Sequence, residues 1–153
     1  VYLKELFSIM KKIFNEKNII LNASFTDKKE AIKAAGQILV DHGYVNTAYI
    51  DDMLKREEVT STYIGNHVSI PHGVEDSQNK IIQSGISFIQ VPKGVSFGEG
   101  KKAYVIIGIA GKGDEHLDIL SNIALVCAEG ENIEKMRRAS SKEDIMNLLE
   151  AIE

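Results

Sequence analysis

A single cysteine, Cys127, leaves the chain without the means to close a disulfide within itself, which fits a reducing cytoplasm. No apolar stretch approaches the roughly 20 residues of a membrane-spanning helix, so no direct membrane insertion is expected. Positive charge is not in excess. Against 22 acidic residues stand 18 Lys and Arg, for a net charge of -4, and basic residues cluster only in pairs such as Lys11-Lys12 and Arg137-Arg138. That pattern excludes the basic footprint of a nucleic-acid binder. The start, "VYLKELFSIMKKIF", carries charges throughout and is not a secretory signal. Several catalytic signatures are also missing. There is no HExxH or CxxC to hold zinc, no glycine-rich run ending in Gly-Lys-Ser/Thr, and no GxSxG elbow. Histidine chemistry remains, with no cofactor called for.

What is present suits one globular domain. With 153 residues, 44% of them hydrophobic, the chain is long enough to bury a core. Leu3, Leu6, Phe7, Met10, Ile13 and Phe14 make one apolar stripe, predicting an amphipathic helix over residues 2–15. "NIIL" at 18–21 reads as a short strand. Asp27 and Glu30 have the spacing of a helix start, and Gly43 stops that helix after His42. Asn46 caps a further helix running to about Glu57. "KIIQSGISFIQV" at 80–91 alternates and reads as a strand, followed by a Pro/Gly loop, "VPKGVSFGEG". "AYVIIGIAG" at 103–111 is apolar on both parities, as a central strand covered on two faces would be. Asp114 is the expected cap of a helix from Glu115 to Ala128. A short helix over 131–138 follows, and Ser140 with Glu143 makes a capping box for the last one. Helices interleaved with a few strands define an α/β class.

The candidate chemistry lies in four histidines. His72 sits in "GNHVSIPHG", between Pro71, which fixes its own φ, and Gly73, which permits close backbone approach. A loop so restricted suits an imidazole that must meet another molecule, and a neutral imidazole is a good nucleophile near pH 7. His116 follows the apolar strand, at the start of a helix, where ligands collect in open α/β sheets. Arg56, at the end of a predicted helix, can bind a phosphoryl group through paired hydrogen bonds if it faces His72. His67 stands an odd number of residues before His72, which in an extended segment puts the two on opposite faces. His42 suits the dipole at a helix C-terminus and has a structural role.

"YIGNHVSIPHG", "GISFIQVPKGVSFGEGKKAYVIIGIAGKGDEHLDILSNIA" and "DDMLKREEVTSTYIGN" together resemble one family. It is the enzyme IIA domain, mannitol/fructose class, of the bacterial phosphoenolpyruvate-dependent sugar phosphotransferase system, the mannitol branch standing nearest. The resemblance covers roughly residues 18–152. It implies an enzyme IIA domain over 18–153, with 1–17 as an N-terminal helix or linker, and a mixed β-sheet of about five strands flanked by helices. His72 matches the histidine that accepts a phosphoryl group from phospho-HPr and passes it to a cysteine of an enzyme IIB domain. His116 matches a second histidine that assists transfer, and Arg56 an arginine that steadies the phosphoryl group. Ile70, Val74 and Phe97 are candidates for an apolar docking rim. His67 departs from the family pattern, standing where relatives commonly have a small residue, and is expected either to be harmless or to add charge near the docking surface.

Two other readings stay open. The same fold ends some transcriptional regulators, where histidine phosphorylation is a signal. A metal-dependent hydrolase would gather His72, His116, Glu75 and Asp76, although no ligand spacing demands it.

Overall fold

The computed structural model describes residues 13–150. The expected helix over 2–15 therefore lies outside the described residues, except for 13–15. Ile13 and Phe14 are buried in the main core.

Five strands form one mixed sheet: β1 (Ile19–Ile20), β2 (Tyr63–Gly65), β3 (Val68–Ser69), β4 (Gly85–Ser96) and β5 (Lys102–Ala110). Their order across the sheet is β1-β4-β5-β3-β2. The apolar run at 103–111 is thus the central strand, as its two-sided hydrophobicity requires. Val105, Ile107 and Ile109 enter one core, and Ala103, Ile106 and Ala110 enter the other. The first core is covered by α3 (Glu115–Cys127), α4 (Gly130–Arg138) and α5 (Lys142–Glu150). The second is covered by α1 (Lys28–Asp41) and α2 (Ala48–Val59).

The helix starts show which local signals held. Asp27 accepts a hydrogen bond from the Glu30 amide at 2.9 Å, and α1 stops before Gly43, whose φ is +80°. Asn46 accepts from the Ala48 amide and so caps α2. The cap of α5 is Ser141, which accepts from the Asp144 amide, one residue later than the Ser140/Glu143 expectation. A serine and an acid stand three apart in both registers, so spacing alone did not choose. Asp114 makes no side-chain cap. It is already helical in φ and ψ, and α3 begins without one.

The strand expected at 80–91 is displaced. Glu75–Lys80 is a 3₁₀ turn, Ile81 bridges only to Val45, and β4 begins at Gly85. It then runs through "VPKGVS", which the Pro/Gly content had marked as a loop. The register against β5 slips between Gln90 and Val95, and that irregularity absorbs Pro92, which lacks an N–H, and Gly94, at φ +82°.

One topological feature positions the site. β3 and β5 are neighbours and run parallel. Their carboxyl ends leave the same edge of the sheet. The chain leaving β3 carries His72, and the chain leaving β5 carries His116.

Candidate active site

His72 follows β3 and is attached to β5 at Ile109, whose amide donates to the Pro71 carbonyl at 2.9 Å. The residue is only 9% exposed. Its Nδ1 lies 2.7 Å from the Ile70 carbonyl oxygen. A carbonyl only accepts, so Nδ1 carries the proton and Nε2 holds the lone pair. Burial pushes the imidazole pKa below its ordinary value; the Ile70 carbonyl and Glu57 oppose the shift, while Arg56 and His116 push the same way as burial, and the net is a lowered pKa. At pH 7 His72 is therefore a neutral, singly oriented imidazole with its lone pair on Nε2.

His116 stands on the first turn of α3, with its ring centroid 5.8 Å from that of His72. Burial lowers its pKa as well. Gly111 makes this approach possible: a Cβ there would lie 2.4 Å from the His116 Cα. Gln78 ties the loop down, donating to the Gly111 carbonyl at 2.9 Å and accepting from the Gly113 amide at 2.8 Å.

Helix α2 supplies the floor. Tyr49, Asp52, Arg56 and Glu57 recur at helical spacing and point to one side. Arg56 lines the same open depression as His72 and His116, a space of about 730 Å³, and one of its guanidinium nitrogens donates to the Thr60 carbonyl. Asp52 accepts from Ser77 and Lys80, each at 2.7 Å, and so holds the 3₁₀ turn that follows His72. Burial alone would raise the Asp52 pKa, but these partners outweigh it and lower it. Glu57 is buried and accepts from the Thr62 amide, the Thr62 hydroxyl and Lys28. Thr62 in turn accepts from the Ile70 amide at 3.0 Å, which braces the residue whose carbonyl orients His72.

The three residues singled out in the sequence, His72, His116 and Arg56, thus meet in one depression. His67 does not join them. It occupies the tip of the β2–β3 hairpin at φ +66°, so the parity argument for an extended segment does not apply. Its ring bonds the Lys102 carbonyl and lies 4.8 Å from the Tyr104 ring, at the opposite end of β5 from Ile109. The apolar rim also differs from expectation. Ile70 and Phe97 are buried, and of the three candidates only Val74 lines the depression. Val59 and Leu117, 76% and 70% exposed, stand at its mouth instead. Among the described residues no group of three or more His, Cys, Asp or Glu is arranged to hold a metal ion. No described helix is long and apolar enough to cross a membrane. Tyr49, Asp52 and Glu57 escaped the sequence reading. Their spacing with Arg56 was the available signal, hidden because two of them read as ordinary surface charges.

The sequence model of the family described as "Phosphoenolpyruvate-dependent sugar phosphotransferase system, EIIA 2" matches residues 12–152. The chain is 50% identical over 141 residues to the mannitol-specific phosphotransferase enzyme IIA component of Bacillus subtilis, covering 92% of this chain and 99% of that one. The crystal structure of IIA mannitol from Escherichia coli superposes with a TM-score of 0.84 at 34% identity, over 89% of this chain and 98% of that chain. A chain of the complex of enzyme IIAMTL and phosphorylated enzyme IIBMTL from Escherichia coli gives 0.85 at 33% identity, over 89% and 96%. The chain belongs to the EIIA 2 family of the phosphoenolpyruvate-dependent sugar phosphotransferase system. It is a phosphotransferase component.

Proposed function

We propose that this chain carries phosphoryl groups for a mannitol-type sugar uptake system in the cytoplasm. It takes the group from phospho-HPr on His72 and gives it to a cysteine of an enzyme IIB domain. The observation that carries this reading is the imidazole of His72, with Nδ1–H held by Ile70 and Nε2 left to react in a depression shared with His116 and Arg56.

In the proposed step the Nε2 lone pair of His72 forms a bond to phosphorus as the donor's nitrogen–phosphorus bond breaks and its electron pair returns to the donor imidazole. The His72 ring becomes cationic as the bond forms, and the Ile70 carbonyl that accepts its Nδ1–H stabilises that charge. The arriving phosphoryl group brings close to two negative charges. Arg56 leaves the Thr60 carbonyl to pair with them, and His116 takes up a proton beside them, since a nearby anion raises an imidazole pKa. Positioning and charge neutralisation do the work, as in phosphoryl transfer generally. Val59, Val74 and Leu117 supply the apolar contact for protein partners.

A mannitol system is favoured because the curated relative, matched over 99% of its length, is named mannitol-specific. That relative is itself named an enzyme IIA component, which favours a carrier over a regulatory domain. The test is intact mass after incubation with phosphoenolpyruvate, enzyme I and HPr. One acid-labile phosphoryl adduct on the wild type, absent from His72→Ala, is expected. An adduct of equal yield on both proteins overturns the assignment of His72.

A further inference from the structure

The attachment of the His72 loop to the sheet breaks at one rung. In a parallel ladder the residue facing Ile109 is flanked by two bonds. The Ile109 amide donates to the residue before it, and the residue after it donates to the Ile109 carbonyl. Here the first bond is made, from Ile109 to the Pro71 carbonyl. The second runs through a side chain. The Gly73 amide donates to the Tyr49 hydroxyl at 2.9 Å, and that hydroxyl donates to the Ile109 carbonyl at 2.8 Å. A phenol oxygen therefore stands where the chain after His72 would otherwise close on β5.

We infer that Tyr49 is a positioning residue for phosphoryl transfer: its hydroxyl, wedged between Gly73 and Ile109, splays the chain from the sheet at His72 and so sets the imidazole in the depression. The inference rests on the carrier reading of His72. Three observations support it. Tyr49 is 1% exposed, so its hydroxyl has no water to turn to and both of its bonds are structural obligations. Gly73 is packed to fit it, since a Cβ there would lie 2.6 Å from the Tyr49 Cε1 and 2.7 Å from the Ser77 Oγ. The phenol keeps its proton throughout the physiological range, because burial pushes its pKa to about 12, and so it remains a donor to Ile109. Asp52, one turn along α2, holds Ser77, so the same helix fixes the loop at a second point beyond the wedge.

The experiment uses the whole chain and Tyr49→Phe, which keeps the ring and removes the wedge. The melting temperature first establishes that the variant is folded. Two readouts follow. One is the rate of phosphoryl acceptance from phospho-HPr at limiting and saturating donor. The other is the NMR titration of the His72 ring, which faces Arg56, His116 and Glu57. The saturated rate is expected to fall at least tenfold with the half-saturating donor concentration unchanged, as misplacement of a nucleophile predicts. The His72 titration is expected to move up toward the ordinary histidine value. A folded variant with wild-type rate and unmoved His72 titration overturns the inference. If Tyr49→Phe does not fold, the wild type decides alone. It must show a slowly exchanging Tyr49 hydroxyl proton close in space to the Gly73 amide proton, and its absence overturns the inference. A wild type that accepts no phosphoryl group defeats the carrier reading instead, while the ring titration and the hydroxyl proton still judge the wedge.

Discussion

The rings of His72 and His116 lie 5.8 Å apart, centroid to centroid, with their planes inclined at 58°. That spacing is too long for a direct ring-to-ring hydrogen bond in plane and short enough for both to reach one phosphoryl group. In the carrier role proposed above, His72 would take the bond to phosphorus and His116 would meet its charge.

His72→Ala should abolish phosphoryl acceptance, and His116→Ala should retain some acceptance while slowing onward transfer to enzyme IIB. Single-turnover kinetics of the two half-reactions separate the effects. Equal slowing of both half-reactions in His116→Ala would contradict the division.

Acceptance should respond to pH in the direction set by the buried ring. Burial lowers the His72 pKa, with Arg56 and His116 adding to the effect. The neutral nucleophile then persists as pH falls from 7 through the ordinary histidine value of about 6.5. Stability moves the other way. Below about pH 6.5 the unfolded chain binds a proton that the folded His72 refuses, so folding should weaken as pH falls through that window. Denaturant titrations of the wild type and His72→Asn at pH 7 and 5.5 check this, and the slope should be smaller in the variant.

Gly73→Ala should destabilise the fold by about 1–3 kcal/mol, the usual cost of overpacking a buried site. The added Cβ strikes the Tyr49 ring and the Ser77 hydroxyl. Gly130→Ala is the control. Gly130 opens α4 with nothing within 4 Å of a built Cβ, and its replacement should be neutral or stabilise by about 0.5–1 kcal/mol. Urea unfolding of both variants reads the contrast.

Glu57→Gln should cost about 2 kcal/mol at pH 7, the scale of hydrogen bonds to a buried charged group. The carboxylate accepts from Thr62 twice and from Lys28. Burial would raise its pKa, but hydrogen bonds from Ser61, Thr62 and Lys28 outweigh burial and lower it. The stability it confers is present above the unfolded carboxylate pKa, about 4.3, and is lost as pH falls through the lower folded value. The gap between wild type and variant should therefore close in acid, which melting curves at pH 7 and 3 would reveal.

Much of the fold was legible in local pattern. The helix starting at Asp27 and the stop at Gly43 rest on groups within four residues of each other, so a linear reading suffices. The central strand was legible because burial on two faces demands apolar residues at both parities. The passage through Pro92 and Gly94 was not, because a bulge in β4 is allowed or forbidden by the partner strand and not by the residues themselves. The cap of α5 was misplaced by one residue because two serines offered the same spacing.

The site divides along the same line. His72, His116 and Arg56 were marked by residue type and by segments long enough to resemble a family. The sequence alone also settled the α/β class, the lack of nucleotide and zinc motifs, and the constrained loop around His72. Only the tertiary structure decided that β3 and β5 run parallel and release His72 and His116 at one edge. It alone set the buried phenol of Tyr49 between Gly73 and Ile109, left His67 at the far end of β5, and chose Val59 and Leu117 over Phe97 for the rim. The physical reason is the range of the forces involved. Caps, turns and hydrophobic periodicity act between near neighbours and are written along the chain. Which carbonyl a tyrosine 60 residues away will meet depends on how sheets and helices stack, and no local pattern encodes it.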